Sequence, residues 1–88
     1  MRTVWKVELR AAVEVVRLPA GAVPLTVATQ NGSPCVWLEV NTDGGEHESR
    51  TFTAHGTGHP VPGGGTYIGT AHDVEGVGLV FHVYERTF

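Results

Sequence analysis

The segment from His55 to Gly65 reads HGTGHPVPGGG, and its residue types point to anion binding. Gly56 and Gly58 permit positive φ and close backbone approach, so successive N–H groups can form a concave nest for an anion such as phosphate. Thr57 and His59 add side-chain donors, and prolines stiffen the second half of the loop. A basic residue on the preceding strand adds positive charge. The predicted ligand-binding residues are Arg50, Gly56, Thr57, Gly58, His59 and Pro60.

Two plainer interpretations of this loop stay open at the level of sequence. A glycine-rich segment between strands often serves only as a connection. Alternatively, His59 hydrogen-bonds a neighbouring carbonyl and thereby locks the loop. Binding and locking differ in whether a substitution of His59 abolishes binding or lowers stability.

The five histidines raise the question of a metal site. His55 and His59 have a spacing that places both imidazoles on one face of a helix, but the intervening Gly-Thr-Gly is not helical. Ser33 and Ser49 lie outside any nucleophile-elbow pattern, and no motif places a pair of carboxylates. We therefore expect no metal, no cofactor and no catalytic residue, and we predict that the protein is not an enzyme.

Composition and charge limit the function classes further. The formal net charge is −3 and the six basic residues are scattered singly, which argues against binding to duplex DNA. A single cysteine, Cys35, excludes an internal disulfide and is interpreted as a small packing residue. No apolar run approaches the roughly 20 residues of a membrane span, so we expect a soluble protein without a membrane partner.

Most of the chain alternates with a period of two residues, which is typical of half-buried strands. From Arg2 to Leu9, the side chains of Trp5, Val7 and Leu9 share one face. The segment from Ala12 to Leu18 has apolar residues in both phases. This pattern predicts either a bulge near Val15 or a strand that is covered on both faces.

The segment VPLTVATQNGSPCVWLEV predicts a β-hairpin, because Asn31 and Gly32 are the pair preferred in a type I′ turn. A two-residue turn at this point makes Gln30 face Ser33. Pro34 then falls opposite Thr29, in a pair that exchanges no ladder hydrogen bonds. Further from the turn, the predicted pairs are Val27–Val36, Leu25–Leu38 and Val23–Val40.

Four further segments complete the predicted fold. A polar loop covers residues 41–49, and the strand that follows has Phe52 and Ala54 inward and Thr51, Thr53 and His55 outward. A strand over residues 66–72 and a final strand that is apolar on both sides bring the total to about seven. We predict an all-β fold, a single small antiparallel β-sandwich or partly open barrel over residues 1–88. The doubly apolar strands also predict a homo-oligomer, either a dimer or a higher assembly.

The motifs RTVWKVEL, QNGSPCVWLEV, GTGHPVP, YIGT and LVFHVYE resemble, in the same order and over nearly the whole chain, a family of small proteins encoded by tailed bacteriophages and related prophages. That family has no assigned activity, so the resemblance implies an origin and no catalytic residue. It implies a location in the host cytoplasm.

Such an origin leads to two hypotheses of different classes. The first is a non-catalytic, counter-defence type of protein that binds and sequesters or blocks a host molecule, with a nucleotide-like anion as the candidate small ligand and a host protein as the other candidate partner. The alternative is a minor virion or assembly protein. Presence in purified virions favours the alternative, whereas a co-purified nucleotide favours sequestration.

Overall fold

The computed structural model describes residues 1–86, and this range contains seven β-strands and no helix. Thr87 and Phe88, at the end of the predicted C-terminal strand segment, lie outside the described residues. The strands are β1 (Arg2–Glu8), β2 (Val13–Pro19), β3 (Val23–Gln30), β4 (Ser33–Asn41), β5 (His47–Gly56), β6 (Gly65–Val74) and β7 (Leu79–Arg86).

The strands form two antiparallel sheets that pack face to face. One sheet has the order β1-β4-β3, and the other has the order β2-β5-β7-β6. The sheets do not close into a barrel, as expected for a small antiparallel sandwich or partly open barrel. The all-β prediction is confirmed.

The core lies between the sheets and follows the alternation of the strands. Phe52 on β5, Leu38 on β4 and Val83 on β7 are fully buried. Burial of a side chain of this size contributes about 1.5–3 kcal/mol relative to exposure. The predicted orientation of β5 is confirmed, because Phe52 and Ala54 belong to the core or pack against it.

Along one side of the sandwich, β3 and β6 come into close contact. The Thr29 hydroxyl donates to the His72 carbonyl at 2.5 Å, and the Glu75 N–H donates to the Gly32 carbonyl at 2.8 Å. Between these points Gly69 lies against Val27, with no room for a side chain at position 69. This contact brings the edge of one sheet against the edge of the other.

The hairpin between β3 and β4 has the predicted turn. Asn31 and Gly32 have φ values of 51° and 81°, as a type I′ turn requires. The register next to the turn is also confirmed, with the pairs Gln30–Ser33, Thr29–Pro34 and Val27–Val36.

Further from the turn the predicted register is wrong. Leu38 pairs with Pro24 instead of Leu25, and Val23 pairs with Glu39, because a β-bulge lies between Pro24 and Thr26. Leu25 is 52% exposed rather than directed into the core. A proline lacks the N–H that a continuous ladder uses, so prolines in sheets occur at edges and bulges. Pro24 on the edge strand β3 is the residue that signals this irregularity.

The prediction for β2 is also corrected. This strand pairs with β5 from Val13 to Pro19 without a register shift, so it has no bulge near Val15. Leu18 is buried, whereas Val13 and Val15 are 48% and 64% exposed. The strand is apolar on both sides, but only its inward side is covered. Its outward valines remain exposed at the edge of the sheet.

Candidate functional site

The glycine-rich loop begins with a tight turn at Gly56. The His59 N–H donates to the Gly56 carbonyl at 3.0 Å, and Gly58 has φ of 86° at the third position of the turn. This positive φ is the conformation for which glycine is preferred. The His59 ring folds back over Gly56, where a Cβ would lie 3.1 Å from Nδ1. Gly58 therefore has the left-handed backbone that favours glycine, whereas Gly56 does not have a left-handed φ and instead leaves room for the His59 ring.

The second half of the loop covers part of the four-stranded sheet. Pro62 and Gly63 lie opposite Thr53, His55 and Tyr84 around a hollow of about 10 Å³. Such a hollow has room for about one water molecule. Thr53 is only 4% exposed although its side chain points away from the core. The loop thus shields the outward side of β5.

The outward side of the β2-β5-β7-β6 sheet follows from its register, and we refer to it as the His82 face. It carries the strand residues Val13, Val15, Arg17, Pro19, His47, Ser49, Thr51, Thr53, His55, Tyr67, Thr70, Val80, His82, Tyr84 and Arg86.

A chain of hydrogen bonds crosses this face and reaches the loop. The Thr57 hydroxyl lies 2.9 Å from His82 Nε2, and the Thr70 hydroxyl lies 3.2 Å from His82 Nδ1. The Tyr67 hydroxyl lies 2.5 Å from the Thr70 hydroxyl. A neutral imidazole has one donor and one acceptor nitrogen, so one threonine donates to His82 and the other accepts from it. The loop, β6 and β7 therefore share one polar network.

Aromatic rings extend the face toward β5. Tyr84 makes edge-to-face contacts with Tyr67, at a centroid distance of 5.5 Å, and with His55, at 5.6 Å. His55 Nε2 lies 2.9 Å from the Thr53 hydroxyl. Tyr67 is still 54% exposed, so part of its ring is open to a ligand.

The charge distribution distinguishes this face from the rest of the protein. The chain has nine carboxylate residues and a net charge of −3, but none of the residues that the register pairs on the His82 face is acidic. Asp73 lies beside the face, in the β6 bulge opposite Val80. Arg17 and Arg86 lie on this side. The face is therefore less negative than the rest of the described surface, which favours anionic over cationic ligands.

The structure does not bring Arg50 to the loop. Arg50 lies on the opposite side of β5, where its guanidinium forms a two-point contact with the Glu85 carboxylate, one point of which is Nη2 to Oε1 at 2.8 Å. Its Nη1 donates to Glu48 at 3.1 Å. These carboxylates raise the pKa of Arg50, with the Glu85 hydrogen bond as the largest cause. Of the predicted site residues, Thr57 is the one that contacts the His82 network.

Other reactive groups are not gathered into a site. Among residues 1–86, no three His, Cys, Asp or Glu side chains form a group that could hold a metal ion. Burial raises the pKa of the Cys35 thiol, which favours the protonated form. None of the elements in the described range is a helix that could cross a membrane.

Sequence reasoning missed four members of the face, namely Tyr67, Thr70, His82 and Tyr84. They lie on two strands, and their proximity depends on the β6–β7 register, which includes shifts after Tyr67 and after Ala71. The sequence feature that could have identified part of this face is the last strand, where His82 and Tyr84 alternate on the same side.

Comparison with known protein families gives a match over the whole chain. The profile of a domain of unknown function (DUF7352) matches residues 1–88. No curated protein matches the sequence, and no solved structure matches it.

Proposed function

The chain belongs to the DUF7352 family, and from this premise we propose that it is a non-catalytic binding protein whose ligand surface is the His82 face with the adjoining loop. The proposed ligand is a nucleotide-like anion. The observation that carries the proposal is the hydroxyl and imidazole network on a face whose register-paired strand residues include no carboxylate, in an otherwise acidic protein.

The residue types of the face match the two halves of a nucleotide. With neutral His82, the four groups of the Thr57–His82–Thr70–Tyr67 chain have four protons for three hydrogen bonds. One hydroxyl therefore keeps a proton to donate to a phosphate oxygen, and it is that of Thr57 or Tyr67 where all the bonds run in one direction. The exposed ring of Tyr67 offers a surface for base stacking, which is worth about 1–3 kcal/mol per base in single-strand binding proteins. The turn at Gly56 positions Thr57 beside His82. In this arrangement the loop forms one side of the proposed binding surface.

The contacts of His82 support binding over catalysis. A threonine hydroxyl beside an imidazole resembles a nucleophile beside its base. In catalytic triads, however, the other imidazole nitrogen donates to a carboxylate that stabilises the imidazolium. Here that nitrogen contacts the Thr70 hydroxyl, and a neutral hydroxyl stabilises the imidazolium less.

The biological setting is part of the proposal and rests on the sequence resemblance. A phage or prophage protein with this surface acts in the host cytoplasm by sequestering a host nucleotide signal, or by blocking a host protein. The competing role as a minor virion or assembly protein is favoured by a different observation, the exposed valines of edge strand β2. Detection of the protein in purified virions distinguishes this role from sequestration.

Two measurements test the ligand class. The protein purified from its host is denatured, and the released small molecules are analysed by mass spectrometry, with a nucleotide as the expected result. In parallel, ¹⁵N-labelled protein is titrated with adenosine monophosphate as a probe. We expect saturable shifts at Thr57, Thr70 and His82.

Variants make the titration specific. Tyr67→Leu and Thr57→Val are expected to weaken binding about tenfold each, since each removes one contact of roughly 1–2 kcal/mol. Thr26→Val is the matched control, because Thr26 is exposed on the other sheet. No co-purified nucleotide and no saturable shifts on the His82 face would exclude nucleotide binding.

A further inference from the structure

A cleft of about 430 Å³ opens between the sheets, at the end of the sandwich that carries the β3–β4 and β6–β7 turns. Leu9 and Val74 line its buried part, and Ala54 and Phe81 line it from β5 and β7. The last two side chains point inward, whereas the His82 face lies on the other side of the same strands. The cleft is therefore separate from the surface proposed above, and it is not needed for that function.

Backbone hydrogen bonds hold the segments around this cleft in place. The Leu9 N–H donates to the Pro34 carbonyl and the Ala54 N–H to the Ala12 carbonyl, each at 2.9 Å. The β6–β7 turn is tied to the hairpin turn by the Glu75–Gly32 bond at 2.8 Å. An unfilled apolar cavity destabilises a protein because its lining loses dispersion contacts. The hydrogen bonds named above prevent the surrounding segments from moving inward to fill it. Its volume lies within the roughly 300–1,000 Å³ typical of small-molecule sites.

The charges at the mouth of the cleft are unbalanced. Arg10 and Glu75 line the cleft and are exposed. Arg10 Nε donates to Glu8 at 2.8 Å, and the Arg10 backbone N–H donates to the Glu14 carboxylate at 2.9 Å. One guanidinium is thus accompanied by the carboxylates of Glu8, Glu14 and Glu75. Arg10 and Glu75 belong to the lining, whereas Glu8 and Glu14 lie outside it and contact Arg10, so the surroundings of the mouth are net negative. Such surroundings favour a cationic ligand, whereas the His82 face favours an anionic one.

We infer that this cleft binds a small organic cation with an apolar body, of the arylalkyl ammonium class. The apolar body occupies the space beside Leu9, Val74 and Ala54. There it fills the cavity, and its apolar surface is removed from contact with water. The ammonium lies at the mouth near Glu75, and the Phe81 ring offers a cation–π contact. An anion of the same shape is disfavoured because it meets the same carboxylates.

The test is a titration of ¹⁵N-labelled full-length protein with 2-phenylethylammonium and, separately, with 3-phenylpropionate, an anion of similar shape. We expect saturable amide shifts at Leu9, Ala12, Gly32 and Glu75 with the cation. The cation is expected to bind at least about fivefold more tightly than the anion, as for one favourable charge contact near a surface. No saturable shift with the cation, or equal binding of both probes, would overturn the inference.

Two variants locate the site. Glu75→Gln should weaken 2-phenylethylammonium binding about fivefold, whereas Glu46→Gln, on the β4–β5 loop at the other end of the sandwich, should leave it unchanged. Ala54→Leu should fill the cleft and abolish the shifts. If Ala54→Leu does not fold, the comparison of Glu75→Gln with Glu46→Gln still tests the site. Equal affinity of these two variants for 2-phenylethylammonium contradicts the inference. Shifts induced by adenosine monophosphate on the His82 face test the proposed function independently.

Discussion

Gly69 lies where β6 passes against β3, and its missing side chain lets the two sheets meet at this edge. A Cβ at this position would lie 2.9 Å from Val27 Cβ and 3.0 Å from its Cγ2. Real Cβ atoms essentially never approach that closely, and the obstructing Val27 is itself buried. The residue requirement here comes from packing between sheets, because Gly69 has no left-handed φ.

Gly69→Ala is therefore expected to lower the free energy of unfolding by about 1–3 kcal/mol, through overpacking. Gly63→Ala is the matched control, because a Cβ at Gly63 meets no atom within 4 Å and its φ is not left-handed. Urea denaturation measures both. Equal midpoints for the two variants would contradict the close approach.

Cys35 is the other residue whose environment differs from its sequence pattern, because its side chain belongs to the outward phase of β4 and yet is fully buried. The Lys6–Gln30 hydrogen bond spans β4 from β1 to β3 near this position. Burial raises the pKa of the thiol above its ordinary value of 9.0.

A raised thiol pKa means that the unfolded chain loses its Cys35 proton at a lower pH than the folded protein does. The folded state is therefore expected to lose stability as pH rises through about 9, the ordinary thiol pKa. The pH dependence of urea midpoints should be steeper in this range for the wild type than for Cys35→Ala. Native protein should also react slowly with a thiol reagent that labels the urea-unfolded chain rapidly.

At the scale of elements, β5 and β7 are connected by both a ladder and an ion pair. The Arg50 and Glu85 side chains are each only 16% exposed, and their two-point contact lies at the Phe52 end of the core. Removal of one partner leaves the other charge largely desolvated and unpaired. The resulting loss of stability is larger than the net stabilisation that the intact pair provides.

Arg50→Met should lower the free energy of unfolding by about 3 kcal/mol. Arg2→Met serves as the control, because the Arg2–Glu39 pair has an arginine that is 76% exposed. Loss of such a surface pair should change stability by less than about 1 kcal/mol. Thermal or urea unfolding of both variants gives the comparison, and a small effect of Arg50→Met would show that the pair is not structurally important.

At the scale of the whole molecule, apolar surface remains uncovered at the edge of the four-stranded sheet. Val13 and Val15 are exposed on β2, and β2 is the terminal strand of its sheet within the described residues. Exposed apolar edge strands pair readily with another chain. The predicted homo-oligomer can therefore form by antiparallel pairing of β2 with β2 of a second copy.

Val15→Lys is expected to shift the protein to a monomer, because it places a charge in the middle of that edge. Val77→Lys, at a turn residue that is 70% exposed, should leave the assembly unchanged. Sedimentation velocity at high micromolar concentration measures both. A wild type that sediments only as a monomer contradicts the oligomer prediction.

Local chemistry was sufficient for the hairpin turn and for the inward side of β5, but not for β3 beyond its bulge. The Asn31–Gly32 turn depends on the φ preferences of two adjacent residues, and the inward side of β5 depends on alternation along one strand. These properties involve near neighbours in the sequence. The pairs from Gln30–Ser33 to Val27–Val36 could thus be predicted without knowledge of the rest of the fold.

Tertiary structure decided everything that depends on which strands become neighbours. The β2-β5-β7-β6 order brings Thr57, Thr70 and His82 together and directs Arg50 to Glu85 on the other side. Bulges on β3 and β6 shift the register, and a shift of one residue exchanges the faces of a strand. Such pairings join residues that are distant in the sequence, so no local pattern specifies them; the packing of the two sheets does.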